Sequence, residues 1–390
     1  MQDQSVPVHI LPLIVISQFA GCALWFAPNA VMDLVALELG VANQGVAAVT
    51  AAVQLGFIAG TLFFAFTALP DRLNGPKLFF GCIIVAATLN ALVTLLPLSF
   101  VSMLLTRFGV GFAIAGIYPI GMKIAATWYD KGLGRSLAWL IAALVVGTAA
   151  PHLVRAFNLS LDWRFVLWVL SALSVAGGLL LWLFIPEGPH KRPGARFDPQ
   201  AVIRAFRSPR FRASALGYFG HVWEVYAFWV FVPFLLAAYS QSQGDLALSV
   251  PVWSFLIIAI GALGSIVAGT LSPRLGTGFM ATSLLSVSFA CCLALPLAFQ
   301  LPPWAFLAYL LIWGAFVAGD SGLFSALNAQ SAPPAYAGSA LTMVLCIGFA
   351  LSVISIPLPG LVANWISIEH SFWLIALGPA IGIWAMKNQL

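Results

Sequence analysis

Apolar residues in this chain fall in long uninterrupted runs, and the polar positions gather where the runs break. A soluble amphipathic helix alternates instead between an apolar stripe and a polar face. Runs of about 20 apolar residues match the thickness of a bilayer core. Punctuation by Pro, Gly and charge predicts helices at 9–35, 43–69, 77–97, 101–127, 135–157 and 164–186. After a polar stretch, the second set falls at 213–240, 250–271, 277–300, 304–328, 336–361 and 371–388. The expected fold is an all-α polytopic membrane protein with twelve transmembrane helices in two six-helix bundles, residues 1–186 and 213–390. A basic linker over 187–212 joins them.

Composition agrees with that pattern. Of 390 residues, 62% are hydrophobic and 7% charged, against about 25% charged in a soluble domain. No water-soluble fold of this size hides so much apolar surface, which excludes a nucleic-acid binder, a secreted disulfide scaffold and a large soluble catalytic domain. The five cysteines, Cys22, Cys82, Cys291, Cys292 and Cys346, all sit in apolar runs without metal-ligand spacing and read as packing residues. The N-terminal stretch MQDQSVPVHI carries an acid and no Lys or Arg, so the first run reads as a retained helix rather than a cleaved signal.

The net charge of +5 encodes orientation. With both termini in the cytoplasm, the inner loops hold thirteen basic residues: Arg72, Lys77, Lys131, Arg135, seven between Lys191 and Arg212, Arg274 and Lys387. The outer loops then hold only Arg155 and Arg164. Within the linker, Asp198 is placed to cap a short helix with Pro199 at its first position. Val202, Ile203 and Phe206 would share its apolar face, resting against anionic lipid.

Two related inner turns stand half a chain apart. The first reads TALPDRLNGPK, with Asp71, Arg72, Gly75 and Lys77; the second reads GTLSPRLG, with Gly269, Arg274 and Gly276. A charged pair in such a turn either latches neighbouring helix ends or is simply solvated. The fourth predicted helix adds RFGVGFAIAG. Together these segments resemble the major facilitator superfamily over essentially the whole chain. Thr67 stands where the family places Gly, the second Gly of the first turn is displaced by one, and Pro273 replaces the acid in the second turn. The resemblance implies two pseudo-symmetric halves rocking around a midplane site, with helices one, four, seven and ten facing a central cavity. It also implies that one chain suffices as a monomer and that Asp71, Arg72 and Arg274 belong to an inner gate. Proton-driven exporters of the family carry Gly-Pro in helix five. Here the segment is VVGTAAPHL, with Gly147 and Pro151 separated, which weakens the exporter reading.

Ionisable groups at lipid depth are costly and so mark candidate sites. Helical spacing puts Arg107, Gly111, Ile114 and Tyr118 on nearly one face, with Lys123 opposite. Arg107 is expected to line the pathway, and Lys123 to snorkel to the inner surface or to act in the gate. On helix seven, His221 and Glu224 share a side about 12 and 16 Å from the inner end, at ~1.5 Å per residue. Desolvation there disfavours the ionised carboxylate, making Glu224 the candidate proton-coupling group, with His221 as hydrogen-bond partner, relay or substrate contact. A fixed ion pair holding helices seven and ten or four together is the structural alternative. Trp223, Tyr226 and Trp229 read as packing residues. Asp320 either faces the cavity or pairs with Lys123. Gln18 and Gln54 are candidate ligand contacts; Asn29 and Asn90 are cheap to bury and carry no signal of their own, and His152 reads as a satisfied bundle histidine.

These features favour a secondary transporter. No GxxxxGK[ST] loop occurs, so ATP is not the direct energy source. His9, His152, His190, His221 and His370 form no HExxH pattern, which disfavours an intramembrane enzyme, and no cofactor is expected. The expected activity is proton-coupled symport of a small polar or anionic solute across a bacterial-type inner membrane. Its partners would be the small-molecule substrate, protons and membrane lipid. Proton-driven export of an amphiphile is the alternative.

Overall fold

Backbone N–H and C=O groups find no water in hydrocarbon, so each apolar run satisfies them internally as a helix. The structure, a computed structural model, describes residues 6–40, 44–129, 133–157, 162–191, 197–363 and 365–387. Among these, eleven helices are long and apolar enough to cross a membrane, and Ile10–Cys22 is apolar but shorter. In chain order they are α1 (Ile10–Cys22), α2 (Gly45–Thr67), α3 (Gly75–Leu92), α4 (Phe100–Trp128), α5 (Leu133–Phe157) and α6 (Trp163–Phe184). The second half holds α7 (Pro209–Ser242), α8 (Val250–Leu275), α9 (Thr277–Ala298), α10 (Pro303–Ser331), α11 (Pro334–Val362) and α12 (Ile368–Met386). The basic positions Lys131, Arg192 and Arg196, residues 1–5, and the side chain of Val202 lie outside the described residues.

Polar caps mark where several of these helices begin. Ser99 and Ser102 form a reciprocal capping box at α4, and Ser208 accepts from the Phe211 N–H at α7, with Pro209 in the first turn. That cap starts α7 four residues before the expected 213, so His221 and Glu224 lie deeper than the sequence spacing suggested.

Helix pairing repeats with an offset of six. In the first half α1 packs on α5 and α6, α2 on α4, and α3 on α6; in the second, α7 packs on α11 and α12, α8 on α10, and α9 on α12. The halves meet through α5 against α8 and α2 against α11, which the same offset interchanges. Glycines set the closest crossings in both halves. A Cβ on Gly56 or Gly111 would strike the backbone carbonyls of Phe108 or Val53 between α2 and α4. Gly264 and Gly314 stand likewise against Ala315 and Ile257 between α8 and α10.

Three breaks decide where side chains point. The expected continuous helix 9–35 ends at Cys22, passes through turns, and resumes only as a short 3-10 turn and the helix Met32–Leu39. Pro28 disfavours helical backbone in the residue before it, and the Trp25, Ala27 and Asn29 N–H groups bond three residues back instead of four. Helix α4 is interrupted at residues 115–117, where Gly116 and Ile117 also make three-residue bonds to Ala113 and Ile114. Its counterpart α10 is interrupted at Asp320.

The linker is pinned at both ends. The Gly75 N–H donates to Glu187 at 3.1 Å, and the His190 N–H to the Thr127 carbonyl at 3.0 Å, tying its start to the first half. The neighbouring Lys191 ammonium holds the Glu187 carboxyl below the usual carboxylate range. At the other end the Asp198 N–H donates to Ser339 on α11 at 2.9 Å. The Asp198 carboxylate accepts from the Gln200 N–H and pairs with Arg204. The short helix that follows, Ala201–Ala205, buries Ala201 and Ala205, while Ile203 is exposed and Phe206 half-buried. Its alanine face packs toward α11, which leaves Ile203 exposed on the side expected to rest against lipid.

Candidate functional site

Both described chain ends, the linker, and the α2–α3, α4–α5, α8–α9 and α10–α11 turns lie on one face, as alternating spans require. A cavity of about 870 Å³ opens there, among the linker-side ends of α4, α5, α8 and α10. Leu137, Ala138, Ile266, Leu323 and Ala326 make much of its wall apolar. Deeper in the bundle lies a chamber of about 50 Å³, walled by Tyr118, Tyr218, His221, Tyr226, Trp229 and Phe349. Tyr118, Ile141 and Ser325 line both spaces, so the chamber adjoins the larger cavity. A water needs ~10–15 Å³ of such space, so the chamber admits a group of a few heavy atoms and the cavity a much larger body.

Beyond the chamber the two halves touch. The Trp25 indole N–H donates to Gln54 Oε1 at 3.1 Å, and Gln54 Nε2 donates to Ser352 Oγ on α11 at 3.3 Å. Around this chain of bonds the Trp25 ring lies 4.8 Å from Phe57 and 5.7 Å from Phe349, and Phe57 lies 4.5 Å from Phe349. Trp25, Gln54, Phe57, Phe349 and Ser352 are all buried, so the layer seals that end. Gln54, expected as a ligand contact, instead bridges the halves. The break after Cys22 is what turns Trp25 into the seam.

His221 lies in the chamber wall and Asp320 stands behind it, with Nδ1 and Oδ1 2.7 Å apart and both side chains buried. The α10 interruption places Asp320 there, between the ends of two helical segments. Asp320 therefore bridges α10 to α7 and does not pair with Lys123. The three chamber tyrosines make no side-chain hydrogen bond among the described residues, and the Trp229 indole N–H is likewise unpaired.

Glu224 does not bond His221. Its Oε1 accepts from Ser288 Oγ at 2.5 Å, Trp313 Nε1 at 2.9 Å and Cys292 Sγ at 3.3 Å, inside the second half and away from the chamber wall. Residues three apart differ by about 60° around a helix, enough to send one side chain to the cavity side and the other to α9. Cys292 is thus a polar partner as well as a packing residue. Ser288 and Trp313 gave no signal in the sequence, because nothing local to α9 or α10 reports a carboxylate on α7.

Arg107 is fully buried, and none of its three guanidinium nitrogens finds a partner. It does not line the chamber, contrary to the expectation from helical spacing. That spacing assumed a continuous α4, whereas the break at 115–117 rotates Tyr118 into the chamber and leaves Arg107 in the sealed part of the bundle. Gln18 Nε2 donates to the Tyr118 carbonyl at 3.4 Å, and Gly121 leaves the room its side chain occupies. It supports the α4 break from behind.

At the linker face Lys123 pairs with Asp71 and donates to the Pro70 carbonyl at 2.7 Å, closing a latch within the first half. Arg72 and Arg274 are exposed and make no ion pair among the described residues. Asn90 clamps α3 to α6 through Leu167 O and Ser171 Oγ, both at 2.9 Å, and Asn29 bonds Thr50 at 3.1 Å. Trp223 reaches the Leu374 carbonyl on α12 at 3.4 Å and packs outside the chamber, whereas Tyr226 and Trp229 line it. Among the described residues no three His, Cys, Asp or Glu side chains converge to hold a metal.

Comparison with known proteins adds three findings. The family model described as Major Facilitator Superfamily matches residues 14–357. The Probable L-galactonate transporter of Escherichia coli (strain K12) is 26% identical over 263 residues, covering 63% of this chain and 56% of that protein. The Inner membrane transport protein YnfM of the same organism is 21% identical over 190 residues, covering 48% and 45%. The chain thus spans about half the length of the curated relatives it matches. Two solved structures share the fold. One is a bacterial homolog of the human lysosomal transporter Spinster, in an inward-facing and unoccupied conformation (TM-score 0.74, 15% identity, 99% and 98% covered). The other is a mutant of the nucleoside transporter NupG (TM-score 0.75, 13% identity, 98% and 100% covered).

Proposed function

Because this chain belongs to the Major Facilitator Superfamily, we propose that it is a secondary active transporter that moves a small organic solute by alternating access. Protons couple at the His221–Asp320 pair. One observation carries this reading. The chamber adjoins the larger cavity on the linker side, and the Trp25–Gln54–Ser352 layer closes the opposite side. Access from one side only, with the seal built from contacts between halves, is one arm of a rocking cycle. The other arm parts α2 from α11 and closes α4 and α5 against α8 and α10.

His221 and Asp320 suit the coupling role because His221 lines the chamber and the fully buried Asp320 carboxyl stands against it at 2.7 Å. A proton added there changes the charge a solute meets and loosens the bridge between α7 and α10. Glu224, held by three donors within one half, serves as a clamp in this reading. The basic bias of the linker face supports its assignment to the cytoplasm, with the protein in a bacterial-type inner membrane.

The test needs no substrate. Spin labels at the sealed ends of α2 and α11 should give two distances in pulsed electron resonance, and lowering the pH should change their ratio. His221→Gln should keep both distances and lose the pH response. A single distance at every pH refutes alternating access. An unaltered pH response in His221→Gln refutes the coupling site.

A further inference from the structure

The chamber and the cavity below it differ in size and chemistry, and together they describe one molecule. The chamber has room for a compact group, and its walls are the rings of Tyr118, Tyr218, Tyr226, Trp229 and Phe349. Aromatic faces carry negative potential and attract cations. No Lys or Arg lines it. Asp320 stands behind His221 with Oδ2 unpartnered and fully buried. If the Nδ1 proton of His221 faces Asp320, its Nε2 lone pair is left free, and the dyad offers an acceptor and a net negative charge. Arg107 is buried away from the chamber, and Arg135, which lines the larger cavity, is exposed at its linker-side end.

We propose that the chamber takes the head group of an organic cation, a protonated amine, whose apolar body rests in the larger cavity. This inference rests on the transporter reading above and deepens it. The ammonium donates to the His221–Asp320 dyad among the aromatic rings, while Leu137, Ala138, Ile266, Leu323 and Ala326 cover the apolar body. A proton and the amine then occupy the same dyad in turn, which makes the exchange an antiport. The other titratable groups around the dyad are the chamber hydroxyls of Tyr118, Tyr218 and Tyr226, which donate or accept hydrogen bonds without competing for the positive charge, and Glu224, a second buried carboxyl near enough to Asp320 for the two to interact electrostatically. The solute class thus departs from the anion expected when Arg107 was read into the pathway. It also departs from the aldonate in the name of the galactonate relative.

Three probes share one apolar body and differ only in the head group: phenylbutylamine, phenylbutanol and phenylbutyrate. Binding to the full chain in nanodiscs is measured by calorimetry against empty nanodiscs. The amine should bind about tenfold tighter than the carboxylate, with the alcohol between them. Asp320→Asn should lower the amine to the affinity of the alcohol and leave the alcohol unchanged. Should that variant fail to fold, Tyr226→Leu, which keeps the dyad, should weaken the amine relative to the alcohol. Equal affinities, a tighter carboxylate, or no binding of any probe overturns the cation assignment. If two distances between α2 and α11 persist in the spin-label experiment, the transporter reading survives that outcome; if they do not, both fall.

Discussion

Replacing Arg107 with methionine removes a charge that this conformation leaves unpaired. The guanidinium is fully buried and its three nitrogens have no partner, while Gly111 one turn away lies hard against the α2 backbone, so the site cannot relax to admit one. An unpaired buried ion costs several kcal/mol, and apolar replacement of buried ionic groups has stabilised other proteins by about 1–4 kcal/mol. In the proposed cycle, parting the Trp25–Gln54–Ser352 layer would hydrate the arginine and offset that cost. Arg107→Met should therefore favour the sealed, linker-open state by roughly one to three decades, at ~1.36 kcal/mol per decade. Two assays read this. The short α2–α11 distance should become almost the sole population in pulsed electron resonance, and thermal unfolding in detergent should move up. Arg107→Lys keeps the charge and should show neither effect. A lower melting temperature for Arg107→Met, or a larger open fraction, would refute the reasoning.

Two further outcomes follow from contacts outside the chamber. Glu224→Ala removes the acceptor shared by Ser288, Cys292 and Trp313 and leaves buried donors unsatisfied. It should lose about 2–4 kcal/mol in thermal unfolding, whereas Glu224→Gln, which keeps an acceptor oxygen, should lose less; equal losses would show that the acceptor is not what matters. On the face opposite the linker, Arg164 grips Glu38 with two bonds of 2.5 and 3.2 Å, and Trp163 adds a third at 2.7 Å. The Arg164 bond is the main cause holding the Glu38 carboxyl below its ordinary value of 4.5. A carboxyl lowered by folding stabilises above its unfolded value and loses that contribution as the pH falls through the folded one. Both partners are partly exposed, so Glu38→Gln should cost only about 0.2–1 kcal/mol at pH 7. The difference from the native protein should vanish at pH values below the carboxylate range; a difference independent of pH would sink this account.

Much of the architecture was legible in the chain alone. Long apolar runs can be nothing but helices in lipid, so their number, order and division into six and six follow from hydropathy and punctuation. The buried charges were legible too, because any ionisable side chain at lipid depth stands out against its neighbours. Their partners were not. Arg107 and Tyr118 share a face only if α4 is unbroken, and helical phase carries no information across an interruption such as residues 115–117. His221 and Glu224 differ by less than a turn, yet one meets Asp320 and the other Ser288, Cys292 and Trp313. Gln54 became a bridge between halves because α11 lies against α2, a contact separated by 298 positions. Sequence by itself determined which groups lie inside the membrane, since solvation is a property of each residue and its run. Only the tertiary structure decided which groups meet, because a partner across helices depends on crossing angle, helix breaks and the packing of small residues, none of which is written in local spacing.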